Sequence, residues 1–192
     1  MNFEKIWEKI SPLSIMPSQK AKRIYEELLL TKDLKGEMAE IGVFKGSTSL
    51  LMKLTFPERK MHCYDTFCGI IGATKEEDKH KDGEFACSLT EVKKAVGIDE
   101  NTSYHVGFFP DSFNEKECKF VFIHSDTDTY IGTKSTLEVM FPLLVSGGII
   151  IFDDYEWVNC PGVKKAIEEW LNTNVNVCIT RKYYTQFVVQ KL

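Results

Sequence analysis

The stretch FVFIHSDTDTY, residues 120–130, places two aspartates directly after an unbroken apolar run. A second stretch, GIIIFDDY at residues 148–155, repeats that arrangement. Apolar runs without alternation are typical of parallel strands covered on both faces, and open α/β sheets bind ligands at the carboxyl ends of such strands. If the two strands are neighbours, the carboxylates that converge there belong to Asp126, Asp128, Asp153 and Asp154. Clustered carboxylate oxygens favour a hard divalent cation such as Mg²⁺, Mn²⁺ or Ca²⁺.

Each acidic pair also has a simpler interpretation. Asp128 is suited to capping the following helix, and Asp153 and Asp154 are suited to terminating a strand. For a single pair the simpler interpretation is favoured, but two pairs at neighbouring strand ends favour a metal site. The adjacent His124 is more often a packed, hydrogen-bonded residue than a ligand, so it stays unassigned.

Strand-like and helix-like segments alternate along most of the chain. The predicted strands are residues 37–43, 60–64, 104–106, 119–123, 148–152, 175–179 and 186–189. The predicted helices are residues 18–31 with Ser18 as N-cap, 47–54, 88–96 with a Ser88–Glu91 capping box, a helix from 132, and 162–171. This alternation predicts an α/β fold with a mainly parallel sheet and right-handed crossovers. The last two strands have no helix between them, so we expect an antiparallel hairpin at the C-terminal end.

Length and composition limit the classes of function. A chain of 192 residues suits one domain, which we take as 1–192 with an N-terminal helical segment at 1–36 and a lid loop at 67–87. The net charge of −4 argues against nucleic acid and anionic membranes as partners. No apolar run is long enough for a bilayer span, and residues 1–8 lack the apolar core of a signal peptide. The six cysteines are scattered without a C-x-x-C pair, which favours reduced thiols and a cytoplasmic location.

The first strand-to-helix turn, EIGVFKGS at residues 40–47, is a candidate cofactor site. Glycines such as Gly42 and Gly46 let the backbone approach a ligand closely, with Ser47 opening the helix. The spacing matches neither the G-x-G-x-x-G fingerprint nor a P-loop. Glu40 before the first glycine suits a cationic ligand such as the methionyl amine of S-adenosylmethionine, although a tight turn with an edge glutamate remains the simpler alternative.

Two later strand ends carry further candidates. Asp65 ends the second strand, where a carboxylate is placed to accept hydrogen bonds from ribose hydroxyls, although aspartates at such positions often cap turns. Phe108 lies in an aromatic loop after the third strand that suits an adenine ring, although the residues alone favour an ordinary packed loop. Glu40 and Asp65 at their expected strand ends support a donor site better together than either does alone.

Taken together, these motifs resemble those of the macrocin O-methyltransferase family, metal-dependent enzymes that methylate sugar hydroxyls of antibiotics. The resemblance extends over most of the chain from about residue 18, and the combination of D-x-D-x-Y with a later F-D-D-Y is its most specific part. The matching stretches are residues 39–47, 64–67, 107–111, 126–130, 142–148, 152–155 and 161–166.

The resemblance implies a class I methyltransferase (Rossmann-like) fold, S-adenosylmethionine as donor and Mg²⁺ (or Mn²⁺) as cofactor. It implies metal ligation by Asp126, Asp153 and Asp154, with Asp126 also as general base and Asp128 as an orienting neighbour. The cofactor-binding residues expected from the turn, the loop and the resemblance are Glu40, Gly42, Gly46, Ser47, Asp65 and Phe108.

The acceptor is the part of the function that the sequence leaves open. The family often has an acid where this chain has Ile131 and a glutamate where it has Cys68, and its antibiotic-tailoring members are longer at the N-terminus. We expect a small-molecule or glycan hydroxyl as acceptor and leave a homo-oligomer open. The alternatives are a catechol-like diol as acceptor, since two adjacent hydroxyls also chelate a metal, and a non-catalytic S-adenosylmethionine-binding protein.

Overall fold

The computed structural model describes residues 1–73, 78–114 and 117–192 of the chain. The helices are α1 (Phe3–Ile10), α2 (Ser18–Leu30), α3 (Ser47–Thr55), α4 (Leu89–Val96), α5 (Tyr130–Met140) and α6 (Pro161–Asn174). The strands are β1 (Glu37–Ile41), β2 (Met61–Asp65), β3 (Thr102–Val106), β4 (Phe120–Ser125), β5 (Leu144–Asp153), β6 (Cys178–Tyr183) and β7 (Gln186–Lys191).

The strands form one sheet in the order β3-β2-β1-β4-β5-β7-β6. The first five strands of this order are parallel, whereas β7 runs antiparallel to β5 and forms a hairpin with β6. The predicted parallel sheet with a C-terminal antiparallel hairpin is therefore confirmed. Strands β4 and β5 pair directly, with Ser125 opposite Phe152, so the two acidic stretches leave the sheet side by side.

Two apolar layers cover the sheet. Helices α1 to α4 pack on one face around residues such as Ile24, Leu51 and Val92. Helices α5 and α6 pack on the other face around Leu137 and Ile167. Because both faces are buried, β4 and β5 contain apolar runs without alternation, as the two opening stretches predicted.

Several predicted element ends differ from the structure for local reasons. The structure does not bear out Ser18 as the N-cap of α2: the cap position is Pro17, without a side-chain hydrogen bond. Helix α5 begins at Tyr130, two residues before the predicted start, because the Thr129 side chain accepts a hydrogen bond from the Gly132 amide at 3.2 Å and caps the helix. The predicted Ser88–Glu91 capping box is present.

The strand predicted at residues 175–179 is displaced along the chain. Residues Val175–Val177 form a single 3₁₀ turn and the strand begins at Cys178. The alternating valines have the period of a strand, but α6 continues to Asn174 and the chain needs the next three residues to turn back toward the sheet.

Among the described residues, no helix has the length and apolar character needed to cross a membrane.

Candidate functional site: a donor pocket joined to an acidic cluster

A cavity of about 600 Å³ opens at the carboxyl ends of the parallel strands. Its volume lies within the range usual for small-molecule sites. One side is formed by the turn after β1 and the end of β2, and the other by the residues that follow β4 and β5. The predicted site residues that line it are Glu40, Gly42, Ser47, Asp65, Phe108, Asp126, Asp153 and Asp154.

Gly42 is required by the close approach of two strand ends. Its φ of 85° lies in the left-handed region, and a Cβ atom at this position would collide with the carbonyl oxygen of Asp126. The Asp126 amide donates to the Ile41 carbonyl at 2.8 Å, which holds the two ends together. Gly42 therefore connects the turn after β1 to the first acidic residue after β4.

Asp65 organises the backbone around the turn. Its Oδ2 accepts hydrogen bonds from the Val43 amide at 2.6 Å and the Phe44 amide at 3.0 Å, and its Oδ1 accepts from the Phe67 amide at 2.7 Å. Both phenylalanines have positive φ, 49° and 54°, so the carboxylate stabilises two strained turns. The Thr66 hydroxyl lies 3.5 Å from Oδ1, but it also donates to the Gly69 carbonyl at the much shorter distance of 2.6 Å. Of the roughly four acceptor positions of a carboxylate, about one therefore remains for a ligand hydroxyl.

Glu40 is buried at the end of β1 and already has two protein partners. The Ser49 hydroxyl donates to Oε2, and His124 Nδ1 lies 3.1 Å from Oε1. Burial lowers the pKa of His124, but the carboxylates of Asp153 and Glu40 outweigh this effect and raise it to about 10. The carboxylates of Glu40 and Asp153 therefore favour the protonated form of His124.

Of the other residues predicted to bind the donor, two line the cavity and one does not. Ser47 is the first residue of α3 and lines the cavity, as does Phe108 after β3. Gly46 is the N-cap of that helix with a φ of 80°, and its Cα faces Val96. It is not among the described residues that line the cavity, so its cofactor-binding role stays a prediction.

The acidic stretches converge as predicted, but the grouping of the carboxylates differs from the predicted ligand set. Oxygen atoms of Asp126, Asp128 and Asp154 lie within 4.8 Å of one another, and an atom of His124 forms a second such group with Asp126 and Asp153. Asp126 belongs to both groups. Asp128, expected as an orienting neighbour, belongs to the first group together with two of the predicted ligands.

Burial and mutual repulsion dominate the electrostatics of this cluster. Burial, followed by the Asp153, Asp128 and Asp154 carboxylates, raises the pKa of Asp126 well above its usual value. Burial and Asp154 raise the pKa of Asp128 in the same way. Burial also acts to raise the pKa of Asp153, but His124 and Lys20 hold it below its usual value. A cation at this place relieves the repulsion.

Lys20 is the site residue that sequence reasoning missed. Its Nζ forms ion pairs with Asp153 and, at 2.9 Å, with Asp154, and only 14% of its side chain is exposed. Burial lowers the pKa of Lys20, but the two carboxylates outweigh it, so the pKa is raised. Lys20 lies on α2, more than a hundred residues before its partners. No local pattern in the sequence points to this contact.

The described part of the predicted lid loop borders the cavity. Ile70, Ile71, His80 and Phe85 line it, and the Ile70 amide donates to the Glu84 carbonyl at 2.9 Å. The Tyr130 amide donates to Asp78 at 3.0 Å, which fixes the loop to the start of α5. Residues 74–77 of the predicted loop lie outside the described residues.

Comparison with known families gives this geometry a context. The sequence profile of the macrocin-O-methyltransferase (TylF) family matches residues 19–181. The chain belongs to the macrocin O-methyltransferase family. That match includes the glycine turn, Asp65 and both acidic stretches, so the resemblance inferred from the sequence motifs is confirmed.

Individual relatives of this family member come from antibiotic producers. The demethyldecarbamoylnovobiocin O-methyltransferase of Streptomyces niveus is 26% identical over 75% of this chain and 61% of its own length. The 8-demethyl-8-(2,3-dimethoxy-alpha-L-rhamnosyl)-tetracenomycin-C 4'-O-methyltransferase of Streptomyces olivaceus is 28% identical over 67% of this chain and 56% of its own length. The chain therefore spans about three fifths of the length of these curated relatives.

Solved structures support the class I methyltransferase fold. The structure of the O-methyltransferase NovP superposes with a TM-score of 0.78 at 21% identity, covering 93% of this chain and 82% of NovP. The calicheamicin methyltransferase CalS11 superposes with a TM-score of 0.75 at 16% identity, covering 98% of this chain and 90% of CalS11. The predicted fold class is thus confirmed.

Proposed function

We propose that this protein is an S-adenosylmethionine- and Mg²⁺-dependent O-methyltransferase that acts on a sugar or glycan hydroxyl. The observation that carries the proposal is one cavity in which the glycine turn after β1 adjoins the cluster of Asp126, Asp128, Asp153 and Asp154. The first feature suits a donor with a cationic amino acid part, and the second suits a hard cation that binds hydroxyl oxygens.

The residues around the turn fit the donor. S-adenosylmethionine supplies an electrophilic methyl group on a sulfonium. Glu40 brings a buried negative charge to the wall, and Asp65 keeps a free acceptor position for a ribose hydroxyl. Phe108 provides an apolar surface for a base, and Gly42 keeps the turn close to Asp126.

The acidic cluster fits Mg²⁺ or Mn²⁺. Asp126, Asp153 and Asp154 would hold the ion, and Asp128 lies near enough to contribute or to orient them. Because His124 Nδ1 already contacts Glu40 and only Nε2 faces Asp153, carboxylate oxygens supply nearly all of the candidate ligand atoms. His124 Nε2 has no hydrogen-bond partner among the described residues and lies 3.8 Å from Asp153. When bound, Mg²⁺ supplies a Lewis acid that lowers the pKa of an acceptor hydroxyl.

Asp126 is the proposed general base. Asp126 belongs to both sets of candidate metal ligands. It follows β4 beside the turn after β1, where the donor side of the cavity meets the acceptor side. A carboxylate oxygen of Asp126 takes the hydroxyl proton while the acceptor oxygen bonds to the methyl carbon. The carbon–sulfur bond breaks and its electron pair stays on sulfur. The walls of the cavity align the reactants, which supplies a large share of the rate gain.

Mass spectrometry of methyl transfer tests the proposal. The full chain, with S-adenosylmethionine and Mg²⁺, is offered sugar nucleotides, free glycans and catechols in parallel. We expect a gain of one methyl group on a sugar hydroxyl. Transfer to catechols alone would reject the sugar acceptor while keeping the metal and donor, and absence of S-adenosylmethionine binding by calorimetry would reject an enzyme of this kind.

Removal of the metal is expected to abolish transfer. In excess EDTA the rate should fall by at least about a thousandfold, since both the acceptor alignment and the lowered hydroxyl pKa are lost. Rates are measured before and after chelation, and Mg²⁺ added back above the EDTA concentration serves as control. Full activity in EDTA would reject the metal-dependent mechanism.

Lys20→Met is expected to tighten metal binding. The Lys20 ammonium pairs with Asp153 and Asp154, so a divalent cation competes with it for the same oxygens. Removing that charge should lower the Kd for Mn²⁺ by about tenfold or more, equivalent to about 1.4 kcal/mol. Calorimetric titration with Mn²⁺, in the absence of an acceptor, measures this Kd.

The matched control for Lys20→Met is Lys164→Met. Lys164 lies on α6 and its exposed side chain pairs with Glu156 at 3.1 Å, so its loss removes one positive charge without touching the cluster. Its Kd for Mn²⁺ should stay near that of the wild type. Equal or weaker Mn²⁺ binding by Lys20→Met than by the control would contradict the competition.

A further inference from the structure

A second group of metal-ligating side chains lies away from the cavity. Ligand atoms of Glu37, His62 and Cys118 lie within 4.8 Å of one another. Glu37 begins β1, His62 is the second residue of β2, and Cys118 precedes β4. The carboxyl end of β1 is four residues from Glu37, about 13 Å along the strand. None of the three residues lines the cavity that contains the acidic cluster.

The His62 ring is held in place from two sides. Its side chain is 1% exposed, and its Nδ1 lies 3.0 Å from His105 Nε2. The two imidazoles stack with their centroids 5.3 Å apart. A histidine whose first ring nitrogen is hydrogen-bonded to a neighbour has its ring orientation fixed for ligation through the second nitrogen. That second nitrogen, Nε2, points toward Glu37.

The three ligand types differ from those of the acidic cluster. One nitrogen, one carboxylate oxygen and one thiol sulfur suit Zn²⁺ or a similar thiophilic divalent ion, whereas oxygens alone suit Mg²⁺. We propose that Glu37, His62 and Cys118 form a site for Zn²⁺ or another thiophilic divalent cation, with water in the fourth position. The negative charges of Glu37 and the Cys118 thiolate together neutralise the two positive charges of the bound ion.

The geometry needs only a small adjustment to accept such an ion. His62 Nε2 lies 2.5 Å from Glu37 Oε2, whereas ligands of a tetrahedral zinc ion stand about 3.3 Å apart. The Glu37 side chain is 27% exposed and Cys118 is half-buried, so Glu37 can shift and the ion can enter from solvent. On binding, the Cys118 thiol loses its proton to water. His62 Nε2 also gives up to water the proton that it donates to Glu37, and the ring carries its proton on Nδ1 instead, facing His105 Nε2. Two bonds to the metal then replace the Nε2–Glu37 hydrogen bond.

One neighbouring charge works against the site. Lys60 Nζ lies 4.0 Å from Glu37 Oε1 and, with 44% of its side chain exposed, is free to turn toward solvent.

The bound ion would join the chain before β4 to the first two strands. Since it binds the folded chain, it should stabilise the fold in proportion to RT ln(1 + [ion]/Kd).

Titration of the reduced full chain with Co²⁺ tests the proposal, with excess Mg²⁺ present to saturate the acidic cluster. A thiolate bound to Co²⁺ produces a near-ultraviolet charge-transfer band. We expect such a band at one equivalent, its loss on addition of Zn²⁺, and its absence in Cys118→Ser. Cys87→Ser, which alters another half-buried cysteine outside the group, should keep the band.

A second variant separates loss of a ligand from loss of the fold. Glu37→Gln keeps the shape of the side chain and should weaken Co²⁺ binding by at least about tenfold without removing the thiolate band at saturation. No band in the wild type, a band that persists in Cys118→Ser, or unchanged affinity in Glu37→Gln would overturn the proposal. In any of these cases the three residues form a hydrogen-bonded network only.

Discussion

Asp126→Asn is expected to lower the rate of methyl transfer by at least about 10³-fold while the Kd for S-adenosylmethionine changes by less than about threefold. The substitution removes both the proposed proton acceptor and a carboxylate shared by the two ligand groups. The donor residues Glu40 and Asp65 belong to other strands and keep their hydrogen bonds. Single-turnover rates and calorimetric donor binding measure the two quantities separately.

The same variant should be more stable than the wild type when no metal is present. Burial and three neighbouring carboxylates raise the pKa of Asp126, so its ionised form destabilises the fold above that pKa. The amide of Asn carries no charge, and Tm in EDTA should rise at neutral pH. The gain should shrink as the pH falls below the raised pKa and vanish below the ordinary Asp pKa of about 3.9, where the wild-type carboxyl is protonated in both the folded and the unfolded chain.

Asp33→Asn is the control for Asp126→Asn. Asp33 is exposed in the turn that precedes the amino end of β1, whereas the cavity lies at the carboxyl ends of the strands, so its substitution should change neither rate nor Tm appreciably. Full activity in Asp126→Asn, or a lower Tm than the wild type in EDTA, would contradict the proposed role of this carboxylate.

Gly42→Ala is expected to destabilise the fold by about 3 kcal/mol or more and to abolish donor binding. An alanine there must adopt a φ of 85°, and its Cβ would collide with the backbone of Asp126 rather than with a flexible side chain. For a chain of this size, that loss lowers Tm by roughly 6–12 °C. Thermal unfolding and calorimetry with S-adenosylmethionine provide the measurements.

Gly83→Ala separates backbone strain from the collision. Gly83 has nearly the same φ, 87°, but a Cβ atom there would meet nothing within 4 Å. Its substitution should cost about 1 kcal/mol, which is the strain alone. If Gly42→Ala were no more destabilising than Gly83→Ala, the close approach of the β1 turn to Asp126 would not be important for the fold.

The sheet could be predicted because the apolar pattern within each strand indicates which of its faces are buried. The runs at 120–123 and 149–152 are apolar on both faces, and the short link between 180 and 185 leaves no room for a helix. The strand predicted at 175–179 was displaced because a period of two in Val175, Val177 and Ile179 carries no information about where α6 ends. The chain beyond a helix end depends on how far that helix packs, which is a tertiary property.

The residues of the acidic site could be predicted from the sequence better than the contacts that those residues make. Four aspartates at two neighbouring strand ends have to converge once the strands pair. The ion pairs of Lys20 arise from packing of α2 against the sheet, and Asp65 binds three backbone amides because two turns with positive φ meet it. Such partners are brought together only by the folded chain.

The central claim is that the acidic cluster binds a divalent cation beside a bound donor. Crystals of the full chain grown with S-adenosylhomocysteine and Mn²⁺ test it through anomalous diffraction at the manganese edge. We expect one strong peak within coordination distance of Asp126, Asp153 and Asp154, with the nucleoside against the turn at Gly42. A bound nucleoside with no anomalous peak at these carboxylates, at saturating Mn²⁺, would contradict the account.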